Sequence, residues 1–358
     1  MTTLLTGFPG FIGTRLVARL LDDDPELRVV ALVEPRLAGR AREVATGLPG
    51  GDRIEILEGD ITDPKLGLSA DRYDALAGEV RDVFHLAAVY DLAVGEEIAR
   101  RVNVEGTKHV VAFCEACTDL HRHNYVSTCY VAGLRTGLVL ESELEQGQEF
   151  KNFYESTKYA AEVVVRNSMD RVPTTVFRPG IVVGDSRTGE TQKFDGPYFI
   201  LRAISAFARY GMPLMKMGRA DAPFNAVPVD FIIDALAVGS RLPETEGETL
   251  QLVDQQPLSA ASLVELLAEV YAGRPPKLPT WMPSLEAALS VKPIRALVGG
   301  VPPESLRYLN HRVRYDGSRT AALLGPHGVH CPPFSSYVGT FVDFFRQHEH
   351  DAAYAPAH

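Results

Sequence analysis

Apolar positions along the chain follow two alternating patterns. Short continuous runs at residues 4–5, 28–33, 54–57, 83–88, 124–127 and 174–177 read as buried strands. Between them, Leu16, Val17, Leu20 and Leu21 recur at helical spacing, and residues 103–116 and 155–168 carry the same one-sided pattern. Strand and helix in alternation predict an α/β fold, a Rossmann-type doubly wound parallel sheet. After residue 180 the pattern loosens. Residues 184–189 read as a loop and 198–207 as an apolar helix, and 227–234 look like a return to the sheet through a short strand and a helix start. Pro-rich 273–279 then punctuates a stretch of further apolar helices. The expected division is a sheet domain over 1–184 and a smaller, mainly C-terminal lobe over 185–358, with 225–240 rejoining the first.

Composition narrows the class. With 358 residues, 46% of them hydrophobic, the chain can bury a large core. A formal net charge of −10 argues against a nucleic-acid surface, which needs clustered Lys and Arg. No run reaches the roughly 18 to 20 apolar residues of a membrane span, and the chain opens on a core strand, so a cytoplasmic protein is expected. The four cysteines fit a reducing compartment. Cys114 and Cys117 form a CxxC, but it lies in a helical run and has no second pair to complete a zinc site, so no metal is expected.

The first loop is the most informative stretch. Thr6-Gly7-Phe8-Pro9-Gly10-Phe11-Ile12-Gly13 joins a strand to a helix with three glycines at three-residue spacing. Glycines there allow a sharp turn, close approach of a pyrophosphate and tight packing of the helix, whose free N–H groups favour an anion. The turn is a candidate dinucleotide site, formed by Gly7, Gly10, Phe11, Ile12 and Gly13. Further on, Tyr154 and Lys158 stand four residues apart, on one face of a helix. A phenol is a reluctant acid, and a neighbouring ammonium stabilises its phenolate, which suits proton transfer to a carbonyl oxygen. A strand ending in Ser127 and Thr128 adds hydroxyls at the sheet edge where ligands bind in such folds.

These motifs together resemble an extended short-chain dehydrogenase/reductase. The GxxGxxG turn, Gly59-Asp60-Ile61-Thr62-Asp63, His85-Leu86-Ala87-Ala88, the Ser/Thr strand at 125–133, YxxxK and Arg178-Pro179-Gly180-Ile181-Val182-Val183-Gly184 stand in family order over nearly the whole length. The strand and the Arg178 segment are most similar to the fatty acyl reductase and thioester reductase-like branch. The resemblance implies Thr128 as the catalytic hydroxyl, with Ser127 a structural neighbour, Tyr154 as general acid/base, and Lys158 on the nicotinamide ribose. It places Asp60 and Ile61 beside the adenine, Ala87 and Ala88 along the ribose and phosphates, and Pro179, Gly180, Ile181 and Val182 beside the nicotinamide. For the two alanines a plain buried strand is an equal reading. His85, flanked by apolar residues, reads as a satisfied core histidine, and Asn103 as a helix N-cap rather than a water-ordering group.

Cofactor choice rests on the end of the second strand, where an acid favours a free ribose 2′-OH and an arginine a 2′-phosphate. Glu34 and Arg36 supply both, and the branch resemblance tips the expectation slightly to NADP(H), with NAD(H) the close alternative. Phe194, Tyr198, Phe199, Ile204 and Phe207 are either an apolar substrate wall or a helix packed on the core. The implied activity is reduction of an aldehyde, ketone or acyl thioester with an apolar tail, free or bound to CoA or a carrier, by a protein whose relatives are often homodimers. A hydroxysteroid-type dehydrogenase or nucleotide-sugar epimerase on the same scaffold is the nearest alternative. A non-catalytic dinucleotide-sensing protein is the alternative of another class, against which the intact Thr128, Tyr154 and Lys158 argue.

Overall fold

The computed structural model describes residues 1–90, 94–280, 282–297 and 300–354. The expected lobe thus includes positions, 281, 298–299 and 355–358, that lie outside the described residues.

Seven strands build one parallel sheet: β1 (Thr2–Thr6), β2 (Arg28–Val33), β3 (Ile54–Glu58), β4 (Val80–His85), β5 (Arg122–Val126), β7 (Thr174–Pro179) and β10 (Thr249–Leu252). Their spatial order is β3-β2-β1-β4-β5-β7-β10, so the winding direction reverses between β1 and β4. Crevices at the carboxyl ends of strands flanking such a reversal are where ligands bind in this architecture. Two small parallel pairs stand outside the sheet, β6 (Gly137–Val139) with β11 (Val313–Tyr315) and β8 (Ile181–Val183) with β9 (Ala226–Pro228).

Apart from the edge strand β3, the strands are largely buried on both faces because helices cover both. On one side, helices Phe11–Asp23 and Val229–Gly239 pack Leu16, Val17, Leu20, Ile232 and Leu236 against Val29, Ala31 and Phe84. On the other, Ala70–Glu79 and Gly106–Ala116 bring Leu76, Val110 and Phe113 against Leu4, Val30 and Val83. A separate core, built from helices Pro197–Arg209, Ala260–Ala272 and Phe334–His348, forms the lobe. Lobe and sheet are interleaved along the chain: β9, the helix that follows it and the edge strand β10 all come after the first lobe helix.

Two local expectations change. The run at 83–88 leaves the sheet after His85: Leu86 N–H bonds the Thr6 carbonyl at 3.3 Å and Ala87 N–H bonds Thr6 Oγ1 at 3.2 Å, turning the chain off the strand line. Asn103 is not an N-cap, because the helix begins at Glu96 and Asn103 sits inside a π turn spanning Arg101–Glu105. Its carboxamide accepts from Val89 N–H (2.9 Å) and donates to Thr157 Oγ1 (3.0 Å), which ties the segment before this helix to helix Phe153–Arg166. Sequence periodicity cannot register a bond to a residue 54 positions away.

Candidate active site

The turn after β1 has the geometry its glycines suggest. Gly7 adopts φ +95°, and a Cβ there would lie 3.0 Å from the backbone of Leu86 and Ala87. At Gly10 and Gly13 a Cβ would stand 2.8 and 2.5 Å from the Gly7 carbonyl oxygen. No side chain caps helix Phe11–Asp23, so its first N–H groups stay available for an anion. A cradle that even one methyl group would fill fits the pyrophosphate of a dinucleotide. Beneath it His85 is fully buried and bonds Thr6 (2.8 Å) and Thr107 (3.0 Å), a satisfied core histidine as expected; burial holds its pKa well below the ordinary value.

Tyr154 and Lys158 project from one face of helix Phe153–Arg166. The helix starts where Asn152 accepts the Glu155 N–H (3.0 Å) and Glu155 accepts the Lys151 N–H (3.0 Å), a reciprocal cap. Lys158 Nζ donates to Tyr125 Oη (2.9 Å) and to the Val126 carbonyl (2.8 Å), which leaves its third N–H unassigned among the described residues. Burial pushes the Lys158 ammonium down to about 7, with Glu162 opposing the shift. Burial also pushes the Tyr154 phenol well above its usual range, against a smaller lowering by the Thr128 side chain, so Tyr154 holds its proton at neutral pH. Thr128 accepts from Tyr130 N–H (3.3 Å) and reaches the Pro179 carbonyl at 3.5 Å. Ser127 is committed elsewhere, donating to Glu162 at 2.6 Å. Glu162 is itself fully buried and paired with Arg178 (2.6 Å) and Arg166 (3.0 Å).

A cavity of about 1410 Å³ joins these parts. It is lined by Gly7, Gly10, Phe11, Ile12, Gly13, Ala87, Ala88, Thr128, Tyr154, Lys158, Pro179, Gly180, Ile181 and Val182, so most of the expected site residues meet in one space. Glu34, Arg36, Asp60 and Ile61 lie outside that lining. Glu34 and Arg36 pair with each other just past β2, the Asp60 carboxylate accepts from Thr62 N–H (2.8 Å), and the Ile61 side chain packs against Gly106. The expected apolar wall divides: Phe199, Ile204 and Phe207 line the cavity, whereas Phe194 and Tyr198 turn into the lobe core and stack on Tyr354 and Phe341.

Four tyrosines at the site are given no role by the sequence motifs. Tyr125, the partner of Lys158, carries a signal, since strand alternation from Ser127 puts it on the same face. Tyr90, edge-on to Tyr154 with ring centroids 5.1 Å apart, Tyr130 and Tyr308 carry none, because each reaches the cavity from a loop or a 3₁₀ segment.

A reversal-point cradle for a dinucleotide, opening onto a buried phenol and ammonium, defines an NAD(P)-dependent oxidoreductase of the extended short-chain dehydrogenase/reductase type. The family model described as male sterility protein, an NAD-binding family, matches residues 5–236, and the chain belongs to that family. It is similar to the terminal R domain of the myxalamid PKS-NRPS pathway, with 28% identity and a TM-score of 0.82 over 98% of this chain and 92% of that one. It is 26% identical to a linear gramicidin synthase polypeptide of Brevibacillus parabrevis over 96% of this chain but 7% of that protein. To the fatty acyl-CoA reductase wat of Drosophila melanogaster it is 29% identical over 51% of this chain and 40% of that protein. The chain thus spans less than half the length of these curated relatives. Among the described residues no helix is long and apolar enough to cross a membrane, and no cluster of side chains could hold a metal ion.

Proposed function

We propose that this chain reduces the carbonyl of an apolar acyl thioester or aldehyde, with NADP(H) preferred over NAD(H). The observation that carries the reading is the continuity of one cavity from the glycine cradle, past Thr128, Tyr154 and Lys158, to a wall of Phe199, Ile200, Ile204, Phe207, Leu214 and Met217. Such a wall takes an alkyl chain by burial, at about 0.8 kcal/mol for each methylene removed from water. Lys193, Lys292 and Arg295 line the same space, beside Glu304 and Asp195, the latter 3.8 Å from Lys193. In a chain of net charge −10 they supply cations for a phosphate-bearing thioester, CoA or a pantetheine arm on a carrier.

The cradle at Gly7, Gly10 and Gly13 would hold the pyrophosphate and Pro179 to Val182 would border the nicotinamide, which when bound would supply hydride to the carbonyl carbon. The protein's own groups act on the oxygen. Thr128 donates a hydrogen bond to it, and Tyr154, protonated in its buried position, delivers the proton as charge develops, giving an alcohol from an aldehyde and, from a thioester, a hemithioacetal that breaks down to aldehyde and free thiol. Lys158, fixed by Tyr125 and Val126, stabilises the phenolate left behind and turns its remaining N–H toward the cofactor ribose. Arg36, with its side chain 76% exposed, can turn from Glu34 to a 2′-phosphate.

The test follows oxidation of NADPH and NADH separately against acyl-CoA thioesters, fatty aldehydes and cyclic ketones. Faster oxidation of NADPH with an acyl thioester or a fatty aldehyde is expected. Turnover confined to the cyclic ketones, or faster oxidation of NADH, would replace this reading.

A further inference from the structure

Asn152 and Glu155, which bracket Tyr154 in the chain, form the N-terminal cap of its helix, and that cap is gripped from the lobe. Tyr308, in the 3₁₀ segment Pro303–Asn310, accepts a hydrogen bond from Asn152 Nδ2 (3.0 Å) and donates one to Glu155 Oε1 (2.9 Å). The contact is built rather than incidental. Glu155 is fully buried, and its charge is met by Lys151 Nζ at 3.1 Å, itself nearly buried. That ammonium lies over the Tyr308 ring at 5.1 Å and the Tyr130 ring at 5.7 Å, and the two rings meet edge to face 5.0 Å apart. Burial and Glu155 push the Tyr308 phenol up, so its hydroxyl keeps the proton it donates.

Tyr308 also lines the cavity, alongside Leu306 and Leu309 of its own segment and Leu285 and Leu289 of the neighbouring helix. One side chain therefore touches both the space for the apolar chain and the first turn of the helix that bears Tyr154 and Lys158. We infer that Tyr308 is a positioning residue: an alkyl chain packed against its segment steadies its grip on Asn152 and Glu155 and so holds Tyr154 in place for proton transfer. Long apolar substrates then gain in turnover as well as in binding, since a small misplacement of the donor costs far more rate than affinity. The inference rests on Tyr154 being the proton donor.

Tyr308→Phe keeps the ring and removes the hydroxyl. With decanal and propanal as probes and the better of NADPH and NADH as donor, kcat for decanal is expected to fall about tenfold and kcat for propanal by less. The Kd of the cofactor is expected to hold, and the Tm to fall by no more than a few degrees for the two bonds lost. Asn152→Ser keeps a capping oxygen but deletes the amide donor to Tyr308, one of the two bonds that Tyr308→Phe removes, and should reproduce part of the same chain-length-dependent loss. The double variant should be no worse than Tyr308→Phe, which already removes the bond from Asn152. Unchanged kcat for decanal, an equal loss for both aldehydes, a loss tracking cofactor Kd or Tm, or additive losses would overturn the inference. Tyr154→Phe, assayed beside them, separates the two claims: if it keeps turnover, the donor assignment fails, whereas if it is inactive and Tyr308→Phe is normal, only the coupling fails.

Discussion

At its cradle end the cavity is walled by backbone, and at its lobe end by side chains. The cradle comes from one contiguous stretch, residues 7–13, whose shape is fixed by the space that three glycines leave open. The lobe wall draws on residues from 199 to 309, spread over several helices and a 3₁₀ segment, and is shaped by side-chain packing, with Tyr308 tied back to Asn152 and Glu155. A ligand common to a whole family can be met by main-chain geometry, which tolerates no substitution. A variable one is met by side chains, which can be exchanged one at a time at modest cost.

That contrast can be broken at its junction. Tyr154→Phe removes the proposed proton donor where the halves meet, and kcat should fall by about 10² to 10⁴-fold while the Kd for NADPH and for substrate hold. In the cradle, Gly13→Ala puts a Cβ 2.5 Å from the Gly7 carbonyl. A cost of about 2 kcal/mol there would weaken cofactor binding roughly thirtyfold, read by titration of NADPH fluorescence. On the lobe side, Phe207→Ala should raise KM for a long-chain aldehyde about tenfold and leave cofactor affinity untouched, the mirror image of the glycine variant.

A pH profile sharpens the junction further. With Lys158 pushed down to about 7, its ammonium predominates below that pH and is lost as pH rises through it. The ratio kcat/KM should therefore decline above about pH 7, and Lys158→Arg, which does not titrate there, should flatten the decline at a lower absolute rate. The smallest effect belongs to the outer edge of the cradle half. Arg36→Ala should cut the preference for NADPH over NADH about threefold, as expected for one exposed ion contact.

The same contrast decides which features are legible in the amino-acid sequence alone. Strands 28–33 and 174–177, the glycine turn and the Tyr154–Lys158 pair are legible because each is a local pattern, set by period or by spacing. Leu86 to Ala88 resemble more strand because only the bonds to Thr6 reveal the turn. Asn103 resembles a cap because its true partners, Val89 and Thr157, are remote, and Phe194 resembles a match for Phe207 although the two face opposite sides of the lobe wall. Tyr308 is the extreme case: its partners lie more than 150 positions away, and no local pattern marks them.

The interleaving of lobe and sheet bears on how such a reductase can be re-tailored. Because β10 closes the sheet beside β7, and helix Val229–Gly239 seals the face over Phe84, a cut after residue 184 would bare the outer edge of β7 and strip Ile232 and Leu236 from the core. The lobe cannot be exchanged as a single cassette. A graft that brings in a new acyl preference has to swap the stretches on either side of residues 226–252 while leaving that segment native, in the manner of replacing panels around a fixed post.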